Sequence, residues 1–151
     1  LAAVGGSGLI TPDLPPEEGT QWEAASDAHD LERIYLSAPS SPPHRLRLIA
    51  EHSRGWVYAA SSMGVTGARA SVGAHTADVV ARTRQAGATR VCVGLGVSNG
   101  SQAREIGAYA DGVIVGSALV KTLLDDDGER GLRALGELAR ELTSGVKGAR
   151  A

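Results

Sequence analysis

Residues 91–121, VCVGLGVSNGSQAREIGAYADGVIVGSALVK, restrict the fold more than any other stretch of the chain. Two short apolar segments, residues 91–93 and 112–115, each run straight into glycine, as Gly94-Leu95-Gly96 and as Gly116-Ser117. Between them Ala103, Ile106, Gly107 and Ala110 recur at helical spacing. Strand, helix and strand in so short a span make a βαβ unit, and its strands are parallel. Glycines at the C-terminal ends of successive parallel strands let backbone amides come close to a bound anion. A helix opening just after Gly116-Ser117 would aim its N-terminal N–H groups and dipole at the same point. In a (β/α) barrel, the loops after the last two strands hold a phosphate. The plainer reading is that these glycines only make tight turns.

The remaining sequence continues the alternation. Strands are predicted at residues 9–11, 33–37 and 56–61, and helices at about 18–28, 42–52 and 75–86. Pro12, Pro15 and Pro16 end the first strand, and Glu17-Glu18 suit a first helical turn. Ser41 is the expected N-cap of the second helix, with proline in its first turn. After Ser117 a helix is expected through Leu124, closed by Asp125-Asp126-Asp127-Gly128. A last helix, about 130–142, should carry Leu132, Leu135, Leu138 and Leu142 on one face, with residues 145–151 as a frayed tail. Five strands, each followed by a helix, mean a parallel α/β sheet. A doubly wound open sheet and a (β/α) barrel both fit. A complete barrel takes about 250 residues, so this chain would supply its last five units.

Composition narrows the partners. The chain has 151 residues, 42% apolar and 21% charged, with net charge −2. That fits one globular domain or part of one, with no second domain. Basic residues are interspersed with acids, which argues against nucleic-acid binding. No segment reaches membrane-spanning length, and the opening LAAVGGSGLI lacks the basic region of a signal peptide. Cys92 has no partner for an intrachain disulfide, which favours a reducing, cytoplasmic setting. With no Phe, three Tyr and two Trp, the core must be aliphatic. The chain opens at Leu1, inside an apolar run, and an N-terminal truncation is the expectation. His29, His44, His52 and His75 show no metal-ligand spacing.

Several segments together resemble one family: residues 8–18 (GLITPDLPPEE), 38–41 (APSS), 61–68 (SSMGVTGA), 94–98 (GLGVS) and 116–121 (GSALVK) are similar to the α subunit of tryptophan synthase, in order and spacing. Each motif alone is weak, but GVTG with the two glycine turns is specific. The resemblance implies a (β/α)8 TIM barrel, here strands four to eight. It also implies retro-aldol cleavage of indole-3-glycerol phosphate to indole and glyceraldehyde 3-phosphate. That chemistry needs a general acid and base. The family's Glu and Asp for it fall in the half this chain does not match, so these residues alone are expected not to catalyse. Asp13 is the one acid near a strand end, and the resemblance turns it, with Pro12 and Pro15, toward the β subunit. That partner carries the pyridoxal phosphate (PLP) in a two-α, two-β assembly; this subunit needs no cofactor.

By resemblance, Tyr58 and Thr66 line the substrate pocket, and Ile10, Leu36, Leu95 and Ile114 pack the indole ring. Gly67, Gly96, Gly116 and Ser117 match phosphate contacts. The pattern WVYAAS puts Trp56, Tyr58 and Ala60 on one strand face. Residues 62–73, rich in glycine and longer than a usual βα connection, read as a lid. Lys121 could form a Schiff base, though a solvated helix lysine is the favoured reading. Two alternatives remain open: another phosphate-binding barrel of histidine or tryptophan biosynthesis, and a half-barrel that binds phosphate without chemistry.

Overall fold

Short β-rich segments separated by amphipathic helices can bury both sheet faces only if the helices return over the sheet, which makes neighbouring strands parallel. The computed structural model describes residues 1–60, 73–94, 96–125 and 128–149 and has this arrangement. In chain order the elements are β1 (Gly8–Ile10), α1 (Thr20–Ala28), β2 (Glu32–Ile34), β3 (Leu36–Ser37), α2 (Pro43–His52) and β4 (Val57–Ala60). Then follow α3 (Gly73–Gln85), β5 (Val91–Gly94), α4 (Gly100–Gly107), β6 (Gly112–Val113), α5 (Ser117–Asp125) and α6 (Gly128–Gly148). Among the described residues the strands pair with one another in parallel, β1 with β2 and then β3-β4-β5-β6 in sequence order, with one isolated antiparallel bridge from Arg33 to Arg54. Strands that neighbour in space as they do in sequence, with helices on one side, form the wall of a barrel rather than a doubly wound sheet.

The expected strand 33–37 is present as two pieces, β2 and β3, separated at Tyr35. Backbone direction is kept across the break, since Tyr58 N donates to Tyr35 O at 3.0 Å. Tyr35 is 1% exposed and packs with Ile49, Val57 and Trp22 between α1, α2 and the sheet. A larger core lies between the sheet and helices α3, α4 and α6, where Ala59, Val79, Val91, Val93 and Ile106 are fully buried. It is aliphatic, as the near-absence of aromatics requires. Thr83 Oγ1, on the buried face of α3, donates to Val79 O at 2.7 Å and lies 3.0 Å from Ser37 Oγ, whose hydroxyl can donate to it, so both buried hydroxyls are paired.

Four local expectations are corrected. Ser41 does not cap α2; its Oγ accepts the Ala38 N–H at 3.0 Å, closing the preceding turn, and Pro42 occupies the cap position. Residues 145–148 are not frayed but form the last turn of α6, because α6 lies against α4. A Cβ on Gly145 would collide with the Gly100 carbonyl, so the two glycines bring the helix backbones into contact. Leu132 is exposed, while Leu135 and Leu138 are half-buried and Leu142 is buried, so only the later turns of α6 cover the sheet. The helix after Ser117 extends one residue further than expected, to Asp125. No helix among the described residues is long and apolar enough to cross a membrane.

Candidate functional site

Side chains alternate across a strand, so the parallel registers sort residues onto two faces. Leu36, Tyr58, Cys92 and Gly112 are successive register partners and share the face away from the helices. All four are half-exposed, whereas Ser37, Ala59 and Val93, one residue along, are buried. This concave face is the inner wall of the barrel. Trp56 and Tyr58 stack along it with ring centroids 6.3 Å apart. Tyr58 leans toward β5: a Cβ on Gly94 would overlap its hydroxyl. A Cβ on Gly112 would stand 2.8 Å from Cys92 Sγ. Both glycines therefore make room for a neighbour's side chain on the inner wall. Cys92 itself is half-buried, on that wall rather than deep in the core, and burial, helped by the Asp111 carboxylate, pushes its thiol pKa up.

The strand ends at the C-terminal side differ. Gly96 is buried with φ 89, a conformation that L side chains rarely adopt. Gly116 is exposed, has no positive φ, and a Cβ there would meet nothing within 4 Å. Neither backbone conformation nor a neighbouring atom requires glycine at Gly116; an uncrowded backbone there leaves room for a ligand. Immediately after it α5 begins, and among the described residues no acceptor engages the Ser117 and Ala118 amides. The first turn of α4 is arranged in the opposite way. Asn99 Oδ1 accepts the Gln102 N–H at 2.9 Å, and Glu141 Oε1 from α6 accepts the Gly100 N–H at 2.6 Å. One helix start beside the inner wall is thus open to an anion, and its neighbour is largely occupied by protein acceptors.

The remaining expected residues fall around this centre. Ile114 is half-exposed beyond β6, its N–H held by Val93 O at 2.7 Å, and Ile10 is 40% exposed at the end of β1. Thr66, Gly67 and Leu95 lie outside the described residues, as does nearly all of the expected lid. Pro12 and Asp13 are exposed and Pro15 half-buried. They border a cleft of about 160 Å³ that reaches Leu36 and Ile49. Thr11 Oγ1, also on this cleft, is buried without a hydrogen-bond partner among the described residues. Lys121 pairs with Asp125 one helical turn on and is largely exposed, the solvated arrangement. His52 Nδ1 lies 2.8 Å from Glu23 Oε1, an α2–α1 contact that sequence spacing did not reveal. Among the described residues no group of three His, Cys, Asp or Glu could hold a metal ion.

Comparison with known proteins decides the family. Residues 1–147 match the family described as tryptophan synthase alpha chain. The chain belongs to that family. It is 58% identical over 147 residues to the tryptophan synthase alpha chain of Mycobacterium avium, and 53% identical over 152 residues to that of Bifidobacterium longum. Each match covers 97% of this chain, which spans about half the length of these curated relatives (53% and 52%). Among solved structures, Mycobacterium tuberculosis tryptophan synthase superposes with a TM-score of 0.86 at 54% identity, over 97% of this chain and 54% of that one. The tryptophan synthase α2β2 complex of Pyrococcus furiosus gives 0.81 at 28% identity, over 94% and 57%. The six strand segments are accordingly five of the eight βα units of a tryptophan synthase alpha TIM barrel, with β2 and β3 sharing one unit.

The sequence reading missed the cap formed by Asn99 and Gln102, although N-x-x-Q at a helix start is a recognisable signal. The Gly94–Tyr58 contact carried no such signal, since it joins separate strands.

Proposed function

We propose that these 151 residues are the C-terminal, ligand-holding part of a single barrel domain that cleaves indole-3-glycerol phosphate to indole and glyceraldehyde 3-phosphate. The observation that carries this reading is the pair of amides at Ser117 and Ala118, without an acceptor among the described residues, beside Gly116, where a Cβ would meet nothing within 4 Å. An anion seated there gains the N–H donors and dipole of α5. Gly96 supplies the floor from β5, and Gly67 a further amide. The indole ring lies on the inner wall against Tyr58, Leu36, Ile10, Leu95 and Ile114, with Thr66 closing over it.

Cleavage requires protonation of the indole ring as the glycerol hydroxyl loses its proton. In this proposal the acid and base come from the half of the barrel that the relatives carry in addition. Pro12, Asp13 and Pro15 face a β subunit that holds the PLP, and indole passes to it. That the Pyrococcus furiosus relative is part of an α2β2 tryptophan synthase complex supports that partner.

The test is to measure indole release from indole-3-glycerol phosphate in two proteins. One is the 151-residue chain; the other joins it to the first half of the Mycobacterium avium relative. Release by the joined protein alone, rising on addition of a β subunit, is the expected result. No release from a folded joined protein would overturn the reading.

A further inference from the structure

The connection from β5 to α4 spans residues 95–99, and two anchors hold its described part, Gly96 to Asn99, from opposite sides. Val97 is 3% exposed and belongs to the core. Ser98 is bound by one side chain: Gln102 Oε1 accepts its N–H at 2.8 Å and its Oγ–H at 3.1 Å. Gln102 is 6% exposed, an uncharged amide buried in the first turn of a helix whose other buried residues are Gly100, Ala103, Ile106 and Gly107. Core filling does not call for a glutamine there, since an apolar side chain of the same length would avoid burying its polar head. Its own N–H is held by Asn99 Oδ1 at 2.9 Å, so the cap and Gln102 fix each other.

We propose that Gln102 is a positioning residue for the anion cradle, setting the Gly96 amide through Ser98. The inference rests on the phosphate reading above. With Val97 fixed in the core and Ser98 fixed by Gln102, the Gly96–Val97 and Val97–Ser98 peptide planes have little freedom. Gly96, at φ 89, is joined directly to that held segment, which restricts how its own amide can turn. Gln102 also consumes the Ser98 N–H, which leaves binding to Gly96 and to the open start of α5. Pre-set donors cost no reordering when the anion arrives, and that is where the affinity gain lies.

The test follows backbone amide signals of the isotopically labelled 151-residue chain by NMR as inorganic phosphate is added. Gln102→Met, which keeps length and removes the acceptor, is expected to weaken phosphate binding at least fivefold. In the phosphate-free spectrum it should shift the Gly96 and Ser98 amides and leave Ser117 in place; a merely structural loss would move all three. Gln102→Asn, too short to reach Ser98, is expected to show the same loss and serves if the Met variant does not fold. Gln102→Glu retains an oxygen acceptor at the same reach and should keep the Ser98 amide where the unchanged chain has it. Binding by the Met or Asn variant within twofold of the unchanged chain would overturn the positioning role alone. If the unchanged chain takes no phosphate, the proposed function falls and this inference falls with it.

Discussion

Gly94 ends β5 and Gly116 follows the neighbouring β6, yet they are glycine for different reasons. At Gly94 a Cβ would overlap the Tyr58 hydroxyl, whereas at Gly116 a Cβ would meet nothing. Gly94→Ala should therefore cost about 1–3 kcal/mol through overpacking. Gly116→Ala should leave stability unchanged or raise it by about 0.4–1 kcal/mol, because it restricts the unfolded chain. Phosphate titration then separates the two, since Gly116→Ala is expected to bind more weakly despite its sound fold. Tyr35 gives a second prediction. Burial, with a hydrogen bond to Glu23 Oε1 at 3.0 Å, pushes its phenol up to about 12. A folded pKa above the unfolded value of about 10 means that the neutral phenol stabilises the fold below pH 10. That contribution is lost as pH rises from 10 toward about 12. Tyr35→Phe should lose about 1 kcal/mol near neutral pH and flatten the stability curve across that window, as read by urea unfolding at several pH values.

Among the elements, α4 and α6 make the most intimate pair. Gly100 and Gly145 touch backbone to backbone, and Gly107 faces Ala149 and Val146 in the same seam. Close approach at the first contact lets Glu141 reach the Gly100 N–H at 2.6 Å. Gly145→Ala would push α6 off α4, at a cost of about 2 kcal/mol or more, although alanine favours helix elsewhere. Thermal unfolding would show a fall of several degrees; an unchanged or higher midpoint would mean that the helices are not in contact there. This seam also explains why the last turn of α6 was invisible in the sequence. The sequence G-V-K-G-A reads as a fraying end, because glycine is a poor helix former in isolation. Its partner is a carbonyl 45 residues earlier, which no local pattern records.

At the scale of the whole molecule, one side of the curved sheet is covered by helices and the other is the half-exposed inner wall. A groove of about 450 Å³ runs between β6, α4, α5 and α6, lined by Val113, Val115, Leu119, Leu142 and Val146. Near this end of the molecule Leu124 and Leu132 are 80% and 63% exposed. Exposed leucines contribute little to stability and much to association. Leu124→Lys with Leu132→Lys should raise the solubility of the chain while moving its melting midpoint by no more than about 2 °C, checked by light scattering and calorimetry.

What the amino-acid order settled is the set of local choices made within a few residues. Apolar triplets ending in glycine, proline after β1, and helical spacing between strands specify parallel βα units. These signals are legible because backbone conformation and burial period are short-range properties. Which glycine serves packing and which leaves space, which helix start is open and which is occupied, and how Gln102 reaches back to Ser98 were settled by contacts across the fold. Gly94 owes its identity to Tyr58, the Gly100 N–H its partner to Glu141, and α6 its final turn to α4. Each depends on atoms brought within a few ångströms by chain closure over dozens of residues, and sequence spacing carries no measure of that distance.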